Sequence, residues 1–281
     1  MKIRRLILLG IAALFSLGSG RLVAAQKLPS EPDWSILGAA ESENRPPMIA
    51  PRAVEMPILV YHHVVPGRAS GSEEARLLFV TPETFEKQLQ YLRDNNYHGV
   101  SFNDLADCLE NGAPLPERPV ILSFDDGWEN QFTYAFPLLQ KYRFTATFYV
   151  VTNYLDHENF MTVDQLKTMI AAGMTIGGHS RSHPALPGLS TARQWDEIAA
   201  SRNWLQERLG VTIDTFAYPY GSYNAGVVAL VKAAGYRTAR TVDFGTHYTL
   251  GELETLQALI FQLYVNHYRD NVELAAGEIR R

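Results

Sequence analysis

The chain runs to 281 residues, 46% of them hydrophobic and 20% charged, with a formal net charge of −5. That length and composition suit a globular protein with a sizeable buried core. The mild acidity, with no basic stripe, argues against nucleic acid as a partner, and a single cysteine, Cys108, excludes an internal disulfide.

The first residues read as a targeting segment rather than as fold. Lys2, Arg4 and Arg5 precede an apolar run from Leu6 to Leu17, and Val23-Ala24-Ala25 supplies small residues before a cleavage point. The run is shorter than the roughly 20 apolar residues of a membrane-spanning helix. We therefore expect a signal peptide over 1–25 and a periplasmic or extracellular mature protein, with an uncleaved anchor as the alternative. Residues 26–55, rich in Pro, Ser, Glu and Ala and without a period, read as a linker or N-terminal arm. The remaining 56–281 is expected to hold the functional domain.

Pro57 to Tyr61 reads as a strand running into His62-His63. Thr81, followed by Pro82 at the first helical position, opens a helix to about Asn95, with Phe85, Leu89 and Leu92 at helical spacing. A short strand near 98–100 and a helix over 103–111 follow. Strand 119–124 then leads to a helix near 133–142, and strand 145–151 to a helix over 163–172 capped by Thr162. Strand 174–178 precedes a helix over 191–209, capped by Ser190 and closed by Gly210. Strand 214–218, a helix over 224–234 and a strand over 236–241 complete the series. Alternating strands and helices with short connections imply an α/β protein with a parallel sheet covered by helices. Their number suits a distorted or incomplete (β/α) barrel of about seven units. The tail after about 251 shows no clear pattern.

Four clusters fall where strands should end. The apolar run Pro119-Val120-Ile121-Leu122 stops at Asp125-Asp126-Gly127-Trp128. Adjacent side chains of a strand point to opposite faces, so the two acids mark either a site or a turn. Gly177-Gly178-His179-Ser180-Arg181-Ser182-His183-Pro184 places two histidines four apart on a loop, a spacing that suits gripping one metal. A catalytic divalent ion commonly takes three protein ligands, which His179, His183 and one aspartate would supply, leaving the other aspartate as general base. Phe216 to Gly221 is either a rigid turn or a pocket wall that offers backbone N–H groups to an oxyanion. Tyr61-His62-His63-Val64 is the fourth. Four such clusters at the carboxyl ends of strands are what a barrel enzyme should show.

These segments, together with Phe85-Glu86-Lys87-Gln88-Leu89, Ala146 to Val150 and Ala234-Gly235-Tyr236, resemble the polysaccharide deacetylase family, the carbohydrate esterases with a NodB homology domain. The likeness covers roughly 56–245, and within the family it points to exported deacetylases of poly-β-1,6-N-acetylglucosamine. It implies a NodB-like barrel, Asp125 as general base, and Asp126, His179 and His183 as ligands of a divalent metal, zinc first and cobalt or nickel next. It implies His62 as general acid with His63 a neighbour, and a backbone N–H around Tyr220 on the oxyanion. Tyr218, Pro219, Tyr220, Gly221 and Trp128 would bound the substrate. Three departures stand out. Ala217 occupies a place where many members carry an arginine that pairs with the catalytic aspartate. The late Leu-X-His motif is missing, since neither His247 nor His267 stands in a matching context, and Gln262 stands where a late strand often holds an arginine.

The resulting expectation is a metal-dependent polysaccharide N-deacetylase acting on N-acetylglucosamine units of an envelope or biofilm glycan, with peripheral envelope association. The alternatives are an O-acetyl esterase on xylan or another polysaccharide, and a catalytically silent glycan-binding module. A retaining glycosidase fits poorly, because it needs carboxylates facing one another across about 5 Å.

Overall fold

The computed structural model describes residues 53–67 and 78–260. The expected signal segment, most of the arm, His267 and Gln262 lie outside the described residues. In chain order the elements are β1 (Ala53–Glu55), β2 (Ile58–Tyr61), β3 (His63–Val64), β4 (Phe79–Val80), α1 (Pro82–Asp94), β5 (His98–Gly99), α2 (Phe102–Asn111) and β6 (Pro119–Phe124). A π-turn at Gln131–Ala135 then runs into α3 (Phe136–Tyr142). There follow β7 (Thr147–Val150), α4 (Val163–Ala171), β8 (Thr175–Gly178), α5 (Thr191–Leu209), β9 (Thr215–Ala217), α6 (Ala225–Ala233), β10 (Thr238–Arg240), β11 (His247–Thr249) and β12 (Leu259–Ile260).

Local sequence explains most helix starts. Thr81 accepts the N–H of Thr84, and Thr162 and Gln165 form a reciprocal capping box on α4. Gly210 ends α5 in the left-handed conformation. Ser190 stands at the N-cap of α5 but makes no side-chain bond there.

The main sheet has the order β10-β9-β8-β7-β6-β2-β12, every pairing parallel, with β5 alongside the start of β6. From the edge strand β10 the chain crosses to β12, and on the way Leu256 forms a parallel bridge with Arg240. The sheet thus curls into an incomplete (β/α) barrel, as the alternation predicted. Two small pairings had no sequence signal, the antiparallel β1–β11 and the parallel β3–β4.

The pleat sorts each strand into two faces. Leu59 and Tyr61 of β2, Leu122 and Phe124 of β6, Phe148 and Val150 of β7, Ile176 of β8 and Phe216 of β9 belong to one core cluster, shared with the helices. Ile58 and Val60, Ile121, Tyr149 and Ala217 belong to the second, inside the curl. Continuing the alternation puts His62, Asp125, His179 and Arg240 on that inner face. Tyr149 fills the space beneath them, and its hydroxyl bonds Thr215 Oγ1 at 2.7 Å. Gly177 makes this possible: a Cβ there would lie 2.5 Å from the Tyr149 ring.

Candidate active site

Strand β6 ends at the inner mouth of the barrel, and the chain turns there through positive φ at Asp126 (74°) and Gly127 (81°). A left-handed conformation is costly for an aspartate, and its consequence is that the two adjacent carboxylates meet different partners. Asp126 Oδ2 accepts the indole N–H of Trp128 at 3.0 Å. Its Oδ1 is left 3.6 Å from His179 Nε2 and 3.4 Å from His183 Nε2, and the two imidazole nitrogens stand 3.2 Å apart.

These three donors fit a metal ion. Bonds of about 2.0–2.1 Å in a tetrahedral shell put neighbouring ligand atoms roughly 3.3 Å apart, close to the spacings found here. His179 Nδ1 donates to the Ala217 carbonyl at 2.7 Å, which fixes the tautomer and turns the Nε2 lone pair towards Asp126. Burial, then the neighbouring His179, pushes His183 down to about 4, so its ring is neutral and free to ligate at ordinary pH. Burial opposes charge on both Asp126 and His179, yet each favours the other's ionised form: Asp126 is held below the usual carboxylate range and His179 is raised. A proton held there is what an arriving cation displaces.

Asp125 sits apart from this trio and is almost wholly buried, with 4% of its side chain exposed. Burial alone would raise its pKa, but the Arg240 guanidinium, then His179 and His62, hold it below the ordinary value. Its Oδ1 accepts from Arg240 Nη2, and its Oδ2 lies 3.9 Å from His62 Nε2. Arg240 also donates to the Thr241 carbonyl at 3.0 Å and lies over the Tyr149 ring at 5.1 Å. The arginine sought at position 217 is therefore supplied by the next strand: Arg240 is the register partner of Ala217. An arginine inside a strand expected to be buried was the available signal, since such a residue requires a partner. Gln131, on the π-turn, is the other residue without a motif. Its amide donates to the carbonyls of both His62 (2.7 Å) and Asp125 (2.6 Å), tying together the ends of β2 and β6.

The remaining expected site residues divide. Tyr220, at positive φ (58°) and 67% exposed, presents its ring to His183 at 4.5 Å. Tyr218 does not line the site with its side chain. It is buried, stacks on Tyr223 and donates its hydroxyl to the Glu254 carbonyl at 2.8 Å. Pro219 is buried beside it and Gly221 half-buried on the same turn. His63 stacks between Phe79 (4.1 Å) and Trp128 (4.4 Å), and its Nδ1 accepts from the Asn130 amide at 3.1 Å. Burial, then His62, lowers it to about 4. This makes His63 a neutral packing element beside Trp128.

Residues 112–239 match the family model for polysaccharide deacetylase. Over that segment the chain resembles a polysaccharide deacetylase domain. The match contains Asp125, Asp126, His179 and His183, while His62 precedes it and Arg240 follows by one residue. A Streptococcus pyogenes deacetylase, solved in complex with acetate, superposes with TM-score 0.69 at 28% identity, over 76% of this chain and 95% of that one. IcaB from Ammonifex degensii superposes with TM-score 0.67 at 24% identity, over 79% and 96%, and shares the fold. A poly-β-1,6-N-acetyl-D-glucosamine N-deacetylase of Staphylococcus aureus is 29% identical over 184 residues, 60% of this chain. The aligned segment spans 62% of that relative, less than two thirds of its length. The family model, the streptococcal protein and the staphylococcal relative are all deacetylases by name.

Proposed function

We propose that this chain is a metal-dependent N-deacetylase of N-acetylglucosamine units in an envelope or biofilm polysaccharide, poly-β-1,6-N-acetylglucosamine above all. One observation carries the reading: two sequence-adjacent carboxylates are turned apart, one towards a histidine pair and one towards a buried arginine. Among the relatives, the staphylococcal enzyme named for that polymer supports the substrate.

Asp126, His179 and His183 would hold a divalent ion, zinc by preference with cobalt or nickel as substitutes, which when bound would supply Lewis acidity to a carbonyl and to water. The chain's own groups do the rest. Asp125, kept ionised by Arg240, takes the proton of the attacking water. His62, across from Asp125 at the end of β2, gives a proton to the departing amine. The main-chain N–H of Tyr220 donates to the oxyanion, and Trp128 and the Tyr220 ring bound the sugar. Export follows from the basic and apolar segment over 1–25, with cleavage after Ala25, the arm over 26–55 and the working domain over 56–281 on the far side of the membrane.

The test is acetate release from poly-β-1,6-N-acetylglucosamine oligomers and from acetylated xylan, after chelation and then with added Zn²⁺, Co²⁺ or Ni²⁺. Metal-restored acetate from the glucosamine polymer alone supports the proposal. Release from xylan alone keeps the site and overturns the substrate. Bound metal with no release from either favours a glycan-binding module.

A further inference from the structure

The loop that follows β8 carries two of the three metal-facing donors, and it is strained. Ser180 (φ 65°) and His183 (φ 61°) both adopt the left-handed conformation, which persists only where the surroundings over-determine it. One carboxylate supplies much of that determination. Glu197, on the first half of α5, is buried, with 1% of its side chain exposed. Its Oε2 accepts the main-chain N–H of Arg181 at 2.9 Å and of Ser182 at 2.8 Å, and its Oε1 accepts the Ser182 hydroxyl at 2.7 Å. Within the loop, Ser180 Oγ accepts the N–H of His183 at 2.9 Å. Arg193, one turn earlier on α5 and 56% exposed, is the counter-charge at 3.1 Å from Oε1.

A carboxylate this deeply buried is unfavourable unless its oxygens are matched by donors. Here three donors come from two consecutive residues of one loop, and that loop lies between the two imidazoles. The contacts therefore act on the spacing of His179 and His183.

We propose that Glu197 is a positioning residue for the metal centre, holding the 180–183 loop so that both imidazoles keep their donor spacing before an ion arrives. The inference rests on reading Asp126, His179 and His183 as metal ligands. Without Glu197 the ion must order the loop as it binds, and affinity falls. Residues supporting metal ligands in this way are commonly worth about 10–100-fold in affinity.

The experiment is a competition titration of the chelator-stripped full chain with Zn²⁺ against a chromophoric chelator, with the thermal midpoint of each metal-free variant recorded alongside. Glu197→Gln replaces the charged acceptor by a neutral amide, which weakens the bonds to the Arg181 and Ser182 N–H groups and reverses or loses the one to the Ser182 hydroxyl, so Zn²⁺ should bind about 10–100-fold more weakly. Ser182→Ala removes one of the three contacts and should weaken binding less, in the same direction, which keeps the idea testable should Glu197→Gln fail to fold. Arg193→Ala leaves all three loop contacts and should bind Zn²⁺ as the parent does. A folded Glu197→Gln with a lowered midpoint and unchanged Zn²⁺ affinity would overturn the proposal, as would an Arg193→Ala loss as large as that of Glu197→Gln. If the parent binds no Zn²⁺, the metal reading fails first and takes this inference with it.

Discussion

Replacing Arg240 by methionine isolates the charge that faces Asp125. Methionine keeps much of the apolar stem and removes the guanidinium, which lies over the Tyr149 ring at 5.1 Å. Both partners are almost fully buried, 1% and 4% exposed by side chain, so no discount for solvent screening applies. Breaking such a pair from one side costs about 3–5 kcal/mol, because the remaining charge stays buried without compensation. For a domain of this size that corresponds to roughly 6–20 °C in thermal midpoint.

In the parent, Asp125 has a lowered pKa, so its contribution is present above the unfolded carboxylate value of about 3.9 and is lost as pH falls through the folded one. In Arg240→Met, burial dominates and the folded pKa rises above the unfolded one, so that variant loses stability as pH rises. The gap between the two proteins should be widest near neutrality and close towards pH 4. Chemical denaturation of chelator-treated protein across pH 4–8 measures it. Adding Asp125→Asn should recover much of the loss, because the orphaned charge is gone. A gap that is small at neutrality, or independent of pH, would refute the argument.

Asp125→Asn by itself should retain Zn²⁺ and lose acetate release by about 10²–10⁴-fold, whereas His183→Ala should lose both; metal titration beside the activity assay separates them. Gln131→Met leaves the His62 and Asp125 carbonyls without their shared donor, at about 1–3 kcal/mol for each group left buried. Denaturation should show that loss, and turnover should fall further than the KM changes. Gly177→Ala pushes a methyl into the Tyr149 ring and should cost about 1–3 kcal/mol through overpacking, a loss that Tyr149→Leu in the same chain should partly relieve.

The fold was legible where side-chain periodicity and punctuation lie within a few residues. Strand β6 (Pro119–Phe124) has the limits expected of it, and α1, α4 and α5 keep theirs to within a residue. The cluster of Asp126, His179 and His183 was legible for the same reason: its residues stand in two short motifs at strand ends. What the motifs did not carry depends on partners far along the chain. Arg240 meets Asp125 across 115 positions, and Gln131 reaches His62 across 69. Glu197 looks like any acid on an amphipathic helix until the loop above it is in place. The pairings β1–β11 and β12–β2 involve two or three residues each, too few for a period to show.

Arg240 also explains the missing arginine at 217. Positions 217 and 240 are register neighbours on parallel strands, both facing into the curl, so a long side chain from either one starts about 4.8 Å from the other. The inner face holds one guanidinium beside Asp125, delivered here from β10, and the geometry would let β9 deliver it instead. Two would collide, and one small residue must give way, which is the role left to Ala217. Hence Ala217→Arg in the parent should destabilise by crowding a filled space. In an Arg240→Ala background the same change should recover part of the lost stability, and with it the acid-side pH dependence that Asp125 confers. A double variant no more stable than Arg240→Ala alone, at pH 7 and with the chain folded, would show that the site is built for a charge arriving from β10 only.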